Sequence, residues 1–129
     1  MQGSEAAVLV VDDEEMLRDL ARDILVRHGY TVVTAASGAE AVDIYCRRGG
    51  HIAVVVLDIL LPDMGGREVF RLIRDFDPAA RVIVSSGFER GRDAGDLIRE
   101  GAAAFVQKPY RINELVEKVG ELMKKDRDR

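Results

Sequence analysis

The chain has few of the residues on which small disulfide-bonded or zinc-binding domains depend. Its 129 residues include one cysteine, Cys46, two histidines and no tryptophan. A single cysteine excludes an internal disulfide, and with only His28 and His51 beside it there is no ligand set for a structural zinc site. Any metal that the chain binds must therefore be held by oxygen ligands.

Long apolar runs and concentrated positive charge are also missing. No stretch approaches the length of a membrane span, and residues 1–5 lack the basic-then-apolar pattern of a signal peptide. The net charge is -4 and the basic residues are scattered among acids, which argues against a nucleic-acid surface. We expect a cytoplasmic protein that binds neither nucleic acid nor a membrane.

The rest of the composition is that of an ordinary globular protein. Hydrophobic residues make up 47% of the chain and charged residues 33%. A chain of this length can bury about two thirds of its unfolded surface in one core. We predict a single domain over residues 6–124, with short tails at residues 1–5 and 125–129.

Short apolar runs alternate with segments of helical period. The strongest strand candidates are Ala7–Val11, Ile52–Leu57 and Arg81–Ser85, and weaker ones are Thr31–Ala35 and Ala103–Val106. Repeated alternation of strand and helix predicts an α/β fold, with a parallel sheet covered by helices on both faces.

Two of the helical segments carry further signals. Ser37 and Glu40 have the spacing of a capping box at the start of the second helix. The segment from Phe88 to Glu100 contains Gly91 and Gly95, and each glycine costs about 1 kcal/mol relative to alanine inside a helix. We expect that fourth helix to be short, late-starting or mobile.

Asp58 ends the most apolar run of the chain. A strand that is buried on both faces has no structural use for a carboxylate. Pro62 and the pair Gly65-Gly66 follow, which ends the strand and leaves the acid at a strand-to-loop edge. Open α/β sheets place their chemistry at such edges.

Other polar residues should meet Asp58, because the carboxyl ends of parallel strands share one edge of the sheet. These residues are Asp12, Asp13, Ser85, Ser86 and Lys108. Three neighbouring carboxylates repel one another, and Mg²⁺, which prefers oxygen ligands and commonly contacts phosphoryl groups, would relieve the repulsion. The residues therefore indicate Asp58 as a nucleophile that forms an acyl phosphate, with Lys108 and Ser86 binding phosphoryl oxygens.

Four motifs in order resemble the receiver domain of two-component response regulators. They are Val10–Glu14, Asp58–Gly66, Val84–Gly87 and Phe105–Pro109, each at the end of a predicted strand. The resemblance covers nearly the whole chain, and it implies a single doubly wound (βα)5 domain, flavodoxin-like, with strand order 2-1-3-4-5. The stretch from Phe105 to Tyr110 also resembles receivers that are attached to hybrid sensor kinases.

The resemblance implies a phosphoryl acceptor and a metal site. Asp58 would take the phosphoryl group from a phosphohistidine on a sensor histidine kinase or a phosphotransfer protein. Asp13 and Asp58 would bind Mg²⁺ directly, Asp12 would help through water, and the Leu60 carbonyl would supply a backbone ligand.

The resemblance also implies a switch. Ser86 would be the switch hydroxyl and Phe105 the switch aromatic, at a position where tyrosine is commoner. The peptide bond between Lys108 and Pro109 would be cis. Phosphorylation would then shift the segment after Ser86 and the surface of the last helices.

Two flanking positions are apolar where many relatives carry polar groups. Leu60 follows the acceptor, and Phe88 follows Ser86-Gly87. Neither side chain can orient an attacking water molecule. We therefore expect slow self-dephosphorylation.

Other functions fit the sequence less well. A Mg²⁺ phosphatase with an aspartyl nucleophile would want a second acid at Leu60, and in a flavin carrier Asp12 and Asp13 would repel the flavin phosphate. An interaction module that is never phosphorylated would not need Asp58, Ser86 and Lys108 together. The sequence leaves open the cognate kinase, the downstream target, phosphorylation-dependent homodimer formation and whether the chain is free-standing.

Overall fold

The computed structural model describes residues 6–87 and 91–127. Strands and helices alternate along these residues. The strands are β1 Ala7–Val11, β2 Thr31–Ala35, β3 Ile52–Asp58, β4 Val82–Ser86 and β5 Ala104–Gln107. The helices are α1 Glu15–Arg27, α2 Gly38–Arg48, α3 Gly66–Phe76, α4 Gly91–Arg99 and α5 Ile112–Arg127, with a 3-10 turn at Gly49–His51.

The strands form one parallel sheet in the order β2-β1-β3-β4-β5, which confirms the predicted fold class. The central strand β3 pairs with β1 on one side and β4 on the other, and all seven of its residues are buried. This explains why its sequence is a continuous apolar run instead of an alternating one. None of the helices in the described residues has the length and apolarity needed to cross a membrane.

Side chains of β3 alternate between two hydrophobic cores, one on each face of the sheet. Val55 and Leu57 point into the core beneath α2, α3 and α4. Val54 and Val56 point into the opposite core, beneath α1 and α5. Because both faces are packed, the sheet is a rigid base for residues at its carboxyl edge.

Most element boundaries lie close to the predicted ones. The bounds of β1 and β2 are as predicted, and β4 and β5 each begin and end one residue later. The fourth helix is short, with nine residues from Gly91, and Phe88 lies outside the described residues. Helix α5 continues to Arg127, past the domain end predicted at residue 124.

The predicted capping box at the start of α2 is present in a modified form. The backbone N–H of Glu40 donates to Ser37 Oγ at 3.1 Å. The Glu40 carboxylate accepts the N–H of Ala36 at 2.7 Å instead of that of Ser37. Both bonds fix the turn that leads from β2 into α2.

Charged side chains join α3 to α4 at the surface. Arg67 places one guanidinium nitrogen 3.3 Å from carboxylate oxygens of both Asp96 and Glu100. One turn further along α3, Arg71 Nε lies 3.4 Å from the other oxygen of Glu100. We call Arg67, Arg71 and Arg74, which share this face of α3, the arginine row.

The third member of the arginine row contacts the residues that follow α4. Arg74 donates a hydrogen bond of 2.8 Å to the Gly101 carbonyl, and its guanidinium lies over the Phe70 ring at 5.5 Å from the centroid. The row therefore contacts α4 and its C-terminal end over three successive turns of α3.

Candidate phosphoacceptor site

The candidate site lies at the carboxyl edge of the sheet, where the structure brings together most of the predicted site residues. An open pocket of about 590 Å³ has Asp13, Asp58, Leu60, Ser86 and Lys108 among its lining residues. Four separate strands supply these residues, because each strand or the loop after it ends at this edge.

Lys108 bridges two buried carboxylates at the bottom of the pocket. Its Nζ is 2.7 Å from Asp12 Oδ2 and 3.0 Å from Asp58 Oδ2. Asp12 is fully buried, Asp58 is 4% exposed and the Lys108 side chain is 11% exposed. One cation thus partly neutralises two acids that would otherwise repel each other.

Burial and the neighbouring charges shift the pKa values of Asp58 and Lys108 in opposite directions. Burial raises the pKa of Asp58 above its ordinary value, and the attraction of Lys108 offsets only part of this effect. For Lys108, burial by itself would lower the pKa, but the carboxylates of Asp12 and Asp58 outweigh it and raise the pKa. The ammonium is therefore fixed in its charged form, while ionised Asp58 is less stable than it would be in water.

Hydrogen bonds with backbone groups orient the acids. The N–H of Leu60 donates to Asp58 Oδ1 at 3.1 Å, and the N–H of Glu14 donates to Asp12 Oδ1 at 2.9 Å. The second carboxylate oxygen of each acid contacts the Lys108 ammonium. The pocket therefore presents carboxylate oxygens with defined positions.

The three acids fit a divalent cation. One carboxylate oxygen from each of Asp12, Asp13 and Asp58 lies within 4.8 Å of the others. Two of these acids are buried and Asp13 is exposed at the pocket, so a bound ion would keep water on one side. Mg²⁺ favours such a set of hard oxygen ligands with retained waters.

The strand ends β4 and β5 are linked beside the pocket. The Lys108 N–H donates to the Ser86 carbonyl at 2.8 Å, and the peptide bond between Lys108 and Pro109 is cis, as predicted. The Ser86 hydroxyl lines the pocket and donates to the Gly87 carbonyl at 2.8 Å. The predicted switch aromatic, Phe105, lies outside this pocket, partly buried against the core under α4.

Sequence reasoning missed a polar contact beneath the site. The Tyr110 hydroxyl donates to Ser85 Oγ at 3.3 Å, and both residues are buried. Burial raises the pKa of Tyr110 to about 12. Ser85 is paired in register with Asp58 in the sheet. A hydroxyl at this strand position was the feature of the sequence from which the contact could have been expected.

Comparisons with known proteins agree with the geometry. The family model of the response regulator receiver domain matches residues 8–120. The chemotaxis protein CheY of Bacillus subtilis is 32% identical over 117 residues, which are 90% of this chain and 96% of that protein. The sensor kinase CckA of Brucella abortus is 35% identical over 120 residues, which are 93% of this chain but 13% of that protein.

A solved structure is also similar. The response regulator TrrA of Thermotoga maritima, in complex with Mg²⁺ and BeF, superimposes with a TM-score of 0.81 and 34% sequence identity, over 91% of this chain and 98% of that one. The chain belongs to the response regulator receiver domain family, the family that its four motifs resemble.

Proposed function

We propose that the chain is the phosphoacceptor switch of a two-component phosphorelay, with Asp58 as the acceptor. The observation that carries the proposal is the buried Asp58 carboxylate at the pocket, 3.0 Å from the Lys108 ammonium and clustered with Asp12 and Asp13. A nucleophilic carboxylate, a fixed cation and a set of oxygen ligands are the groups that phosphoryl transfer to an acid requires.

In the transfer step, a carboxylate oxygen of Asp58 forms a bond to phosphorus and the P–N bond of a phosphohistidine breaks. The donor is a sensor histidine kinase or a phosphotransfer protein, and its imidazole nitrogen keeps the electron pair of the broken bond. Asp12, Asp13 and Asp58, with the Leu60 carbonyl, would hold Mg²⁺. When bound, the ion offsets the negative charge on the phosphoryl oxygens.

The phosphorylated acid then changes the partners of two neighbouring groups. The Lys108 ammonium leaves the Asp58 carboxylate and pairs with a phosphoryl oxygen. The Ser86 hydroxyl leaves the Gly87 carbonyl and donates to a second phosphoryl oxygen. The acyl phosphate carries about two negative charges where the carboxylate carried one, and its phosphoryl oxygens are strong acceptors that draw both groups inward.

These movements would reach the surface formed by α4, β5 and α5. Ser86 directly precedes the segment that leads to α4, and its carbonyl is bonded to the backbone of Lys108 at the end of β5. Phe105, on β5, would change its packing as the switch aromatic. A downstream protein, or a second copy of the chain, would bind this surface differently in the two states.

As part of the proposal, the chain meets its donor in the cytoplasm. Its one cysteine, Cys46, is exposed and unpaired, which suits a reducing compartment.

The proposal is tested by treating the chain with acetyl phosphate and Mg²⁺ and measuring the intact mass. We expect the wild type to gain one phosphoryl group, and Asp58→Ala to gain none, because Asp12, the other acid in contact with Lys108, is fully buried and does not line the pocket. Asp13→Ala, which removes an exposed acid of the same cluster, should still be modified, although more slowly. Equal modification of wild type and Asp58→Ala would refute the assignment.

Leu60 is expected to slow the loss of the phosphoryl group. Its side chain is 57% exposed at the mouth of the pocket and offers no atom that could orient a water molecule for attack on phosphorus. We expect Leu60→Gln to shorten the lifetime of the phosphorylated state about tenfold, equivalent to about 1.4 kcal/mol of barrier.

The lifetime is measured by following the phosphorylated mass after removal of the donor. Leu72→Gln is the matched control, since Leu72 is an exposed leucine on α3 that does not line the pocket, and it should leave the lifetime unchanged. A wild-type half-life of seconds in the presence of Mg²⁺ would contradict a slowing role for Leu60.

A further inference from the structure

Asp63 makes a contact that its position in the sequence does not suggest. It lies in the loop between β3 and α3, and its carboxylate accepts two backbone N–H groups at the start of α2. Oδ1 accepts the N–H of Gly38 and Oδ2 that of Ala39, each at 2.9 Å, across 25 and 24 residues of sequence. Both oxygens of one acid thus bind a helix that its own loop does not adjoin in the chain.

The Asp63 carboxylate and the start of α2 are chemically complementary. The first N–H groups of a helix have no partner within the helix, and the positive end of the helix dipole favours a carboxylate there. The two N–H donors of Gly38 and Ala39 hold the pKa of Asp63 below its ordinary value. The carboxylate is therefore charged at neutral pH, and charge-assisted hydrogen bonds are the stronger kind.

The loop also lies in close contact with α2. A Cβ atom on Gly38 would come within 2.5 Å of Met64 Cγ and 2.8 Å of Val69 Cγ2. A side chain at position 38 would thus collide with the Met64 side chain of the loop and with Val69 of α3. The absence of that side chain lets residues 63 and 64 approach the helix closely enough for both Asp63 bonds to form.

The other end of the loop is fixed by its own backbone. The Gly66 N–H donates to the Ile59 carbonyl at 2.8 Å, and a Cβ on Gly66 would lie 2.5 Å from Ile59 Cα. Ile59 and Leu61 are buried in the core under α2 and α3, whereas Leu60 between them is exposed. The loop is thus held at its base by Gly66 and at its tip by Asp63, and Leu60 lies between these two attachments.

We propose that Asp63 is a positioning residue for the phosphoacceptor site. By holding the loop against α2, it fixes the backbone of Leu60, whose N–H binds the Asp58 carboxylate at 3.1 Å and whose carbonyl would bind Mg²⁺. Asp63 does not line the pocket and acts only through Leu60. The inference rests on the proposed function, because it requires that the pocket bind Mg²⁺.

The experiment compares Mg²⁺ binding by two alanine variants that lose the same charge. Asp63→Ala removes the anchor. Asp43→Ala removes an exposed acid of α2 that pairs only with Arg47 among the described contacts, so both variants lose one negative charge and only Asp63→Ala loses the contact between the loop and α2. Calorimetric titration of the unphosphorylated proteins should give a Kd about tenfold higher for Asp63→Ala and within about twofold of wild type for Asp43→Ala.

A spectroscopic measurement separates positioning from a general loss of stability. The titrations are made at a temperature at which circular dichroism shows wild type and variants to be fully folded. In amide spectra, Asp63→Ala should shift the resonances of Gly38, Ala39 and Leu60, whereas Asp43→Ala should leave Leu60 unchanged. If Asp63→Ala does not fold, Asp63→Asn replaces it, since the amide retains one acceptor oxygen and should give a smaller increase in Kd.

The Mg²⁺ titrations and the phosphorylation assay together separate the role of Asp63 from the proposed function. Equal Mg²⁺ affinity of the Asp63 and Asp43 variants, with normal phosphorylation of wild type, would overturn the role of Asp63 and leave the proposed function intact. Failure of wild type to bind Mg²⁺ or to gain a phosphoryl group would overturn both. A raised Kd together with a shifted Leu60 resonance in the Asp63 variant alone supports the inference.

Discussion

Lys108→Ala is expected to lower the free energy of unfolding by about 3 kcal/mol at neutral pH, the lower end of the range for breaking a buried ion pair. Lys108 is the cation between Asp12 and Asp58, at 2.7 and 3.0 Å. Without it, two buried carboxylates face each other with no described cation between them. We take the lower end because the pocket is open to water. The same change should nearly abolish phosphorylation, because the phosphoryl oxygens lose their cationic partner.

Urea unfolding in a chelating buffer measures the stability change, and the intact mass after acetyl phosphate treatment measures phosphorylation. Lys124→Ala removes the same charge from an exposed position on α5 and should leave both quantities close to the wild-type values. A Lys108→Ala protein within about 1 kcal/mol of wild type, the typical effect of a random substitution, would show that the ion pairs contribute little.

Asp58→Asn is expected to stabilise the metal-free protein by about 2 kcal/mol at pH 7, the upper end of what single stabilising substitutions commonly give. It removes one of two buried carboxylates that share the Lys108 ammonium and leaves Lys108 paired with Asp12. Burial raises the pKa of Asp58 by more than Lys108 lowers it, so the ionised acid destabilises the folded state. Under the proposed function, this acid would serve the site at the expense of stability.

The pH dependence has a definite sign. The pKa of Asp58 is higher in the folded than in the unfolded chain, so the folded state binds the Asp58 proton more tightly. Protonation of Asp58 therefore stabilises the fold progressively as the pH falls through the folded pKa. Asparagine does not titrate. The advantage of Asp58→Asn should therefore be largest above the folded pKa and shrink as the pH falls towards the unfolded value.

Urea unfolding of both proteins between pH 7 and pH 4, with chelator present, measures this difference. Asp13→Asn is the control, since Asp13 belongs to the same cluster but is exposed, and its substitution should have a much smaller effect at every pH. A variant that is less stable than wild type at pH 7, or whose advantage grows as the pH falls, would contradict the interpretation.

The sequence was sufficient to predict the sheet and the residues at its edge. Strands such as β1 and β3 are buried on both faces, so their positions are visible as uninterrupted apolar runs. Parallel strands bring their carboxyl ends together, so the meeting of Asp12, Asp58 and Lys108 follows from topology. The sequence could not show which carboxylates Lys108 contacts in the unphosphorylated protein. Its pattern places a lysine at the same sheet edge as several acids but gives no distances between them.

Contacts between distant loops and helices were not predictable. Asp63 appeared only as a member of the motif Asp58–Gly66, since no local pattern states which helix a loop will approach. Helix α5 runs to Arg127, past the domain end predicted at residue 124. Residues 124–127 carry no glycine or proline to end a helix, and lysine and arginine are good helix formers, so the charged segment continues α5 where a tail was expected.

The arginine row gives the proposed switch a dependence on the surrounding medium. If α4 moves away from α3 when Asp58 is phosphorylated, the ion pairs of Arg67 and Arg71 with Asp96 and Glu100 are weakened. Such partly exposed pairs contribute about 0 to 1 kcal/mol each, and dissolved salt weakens them. The balance between the resting and signalling forms would then vary with ionic strength, so the same degree of phosphorylation would produce a larger response in concentrated salt than in dilute buffer.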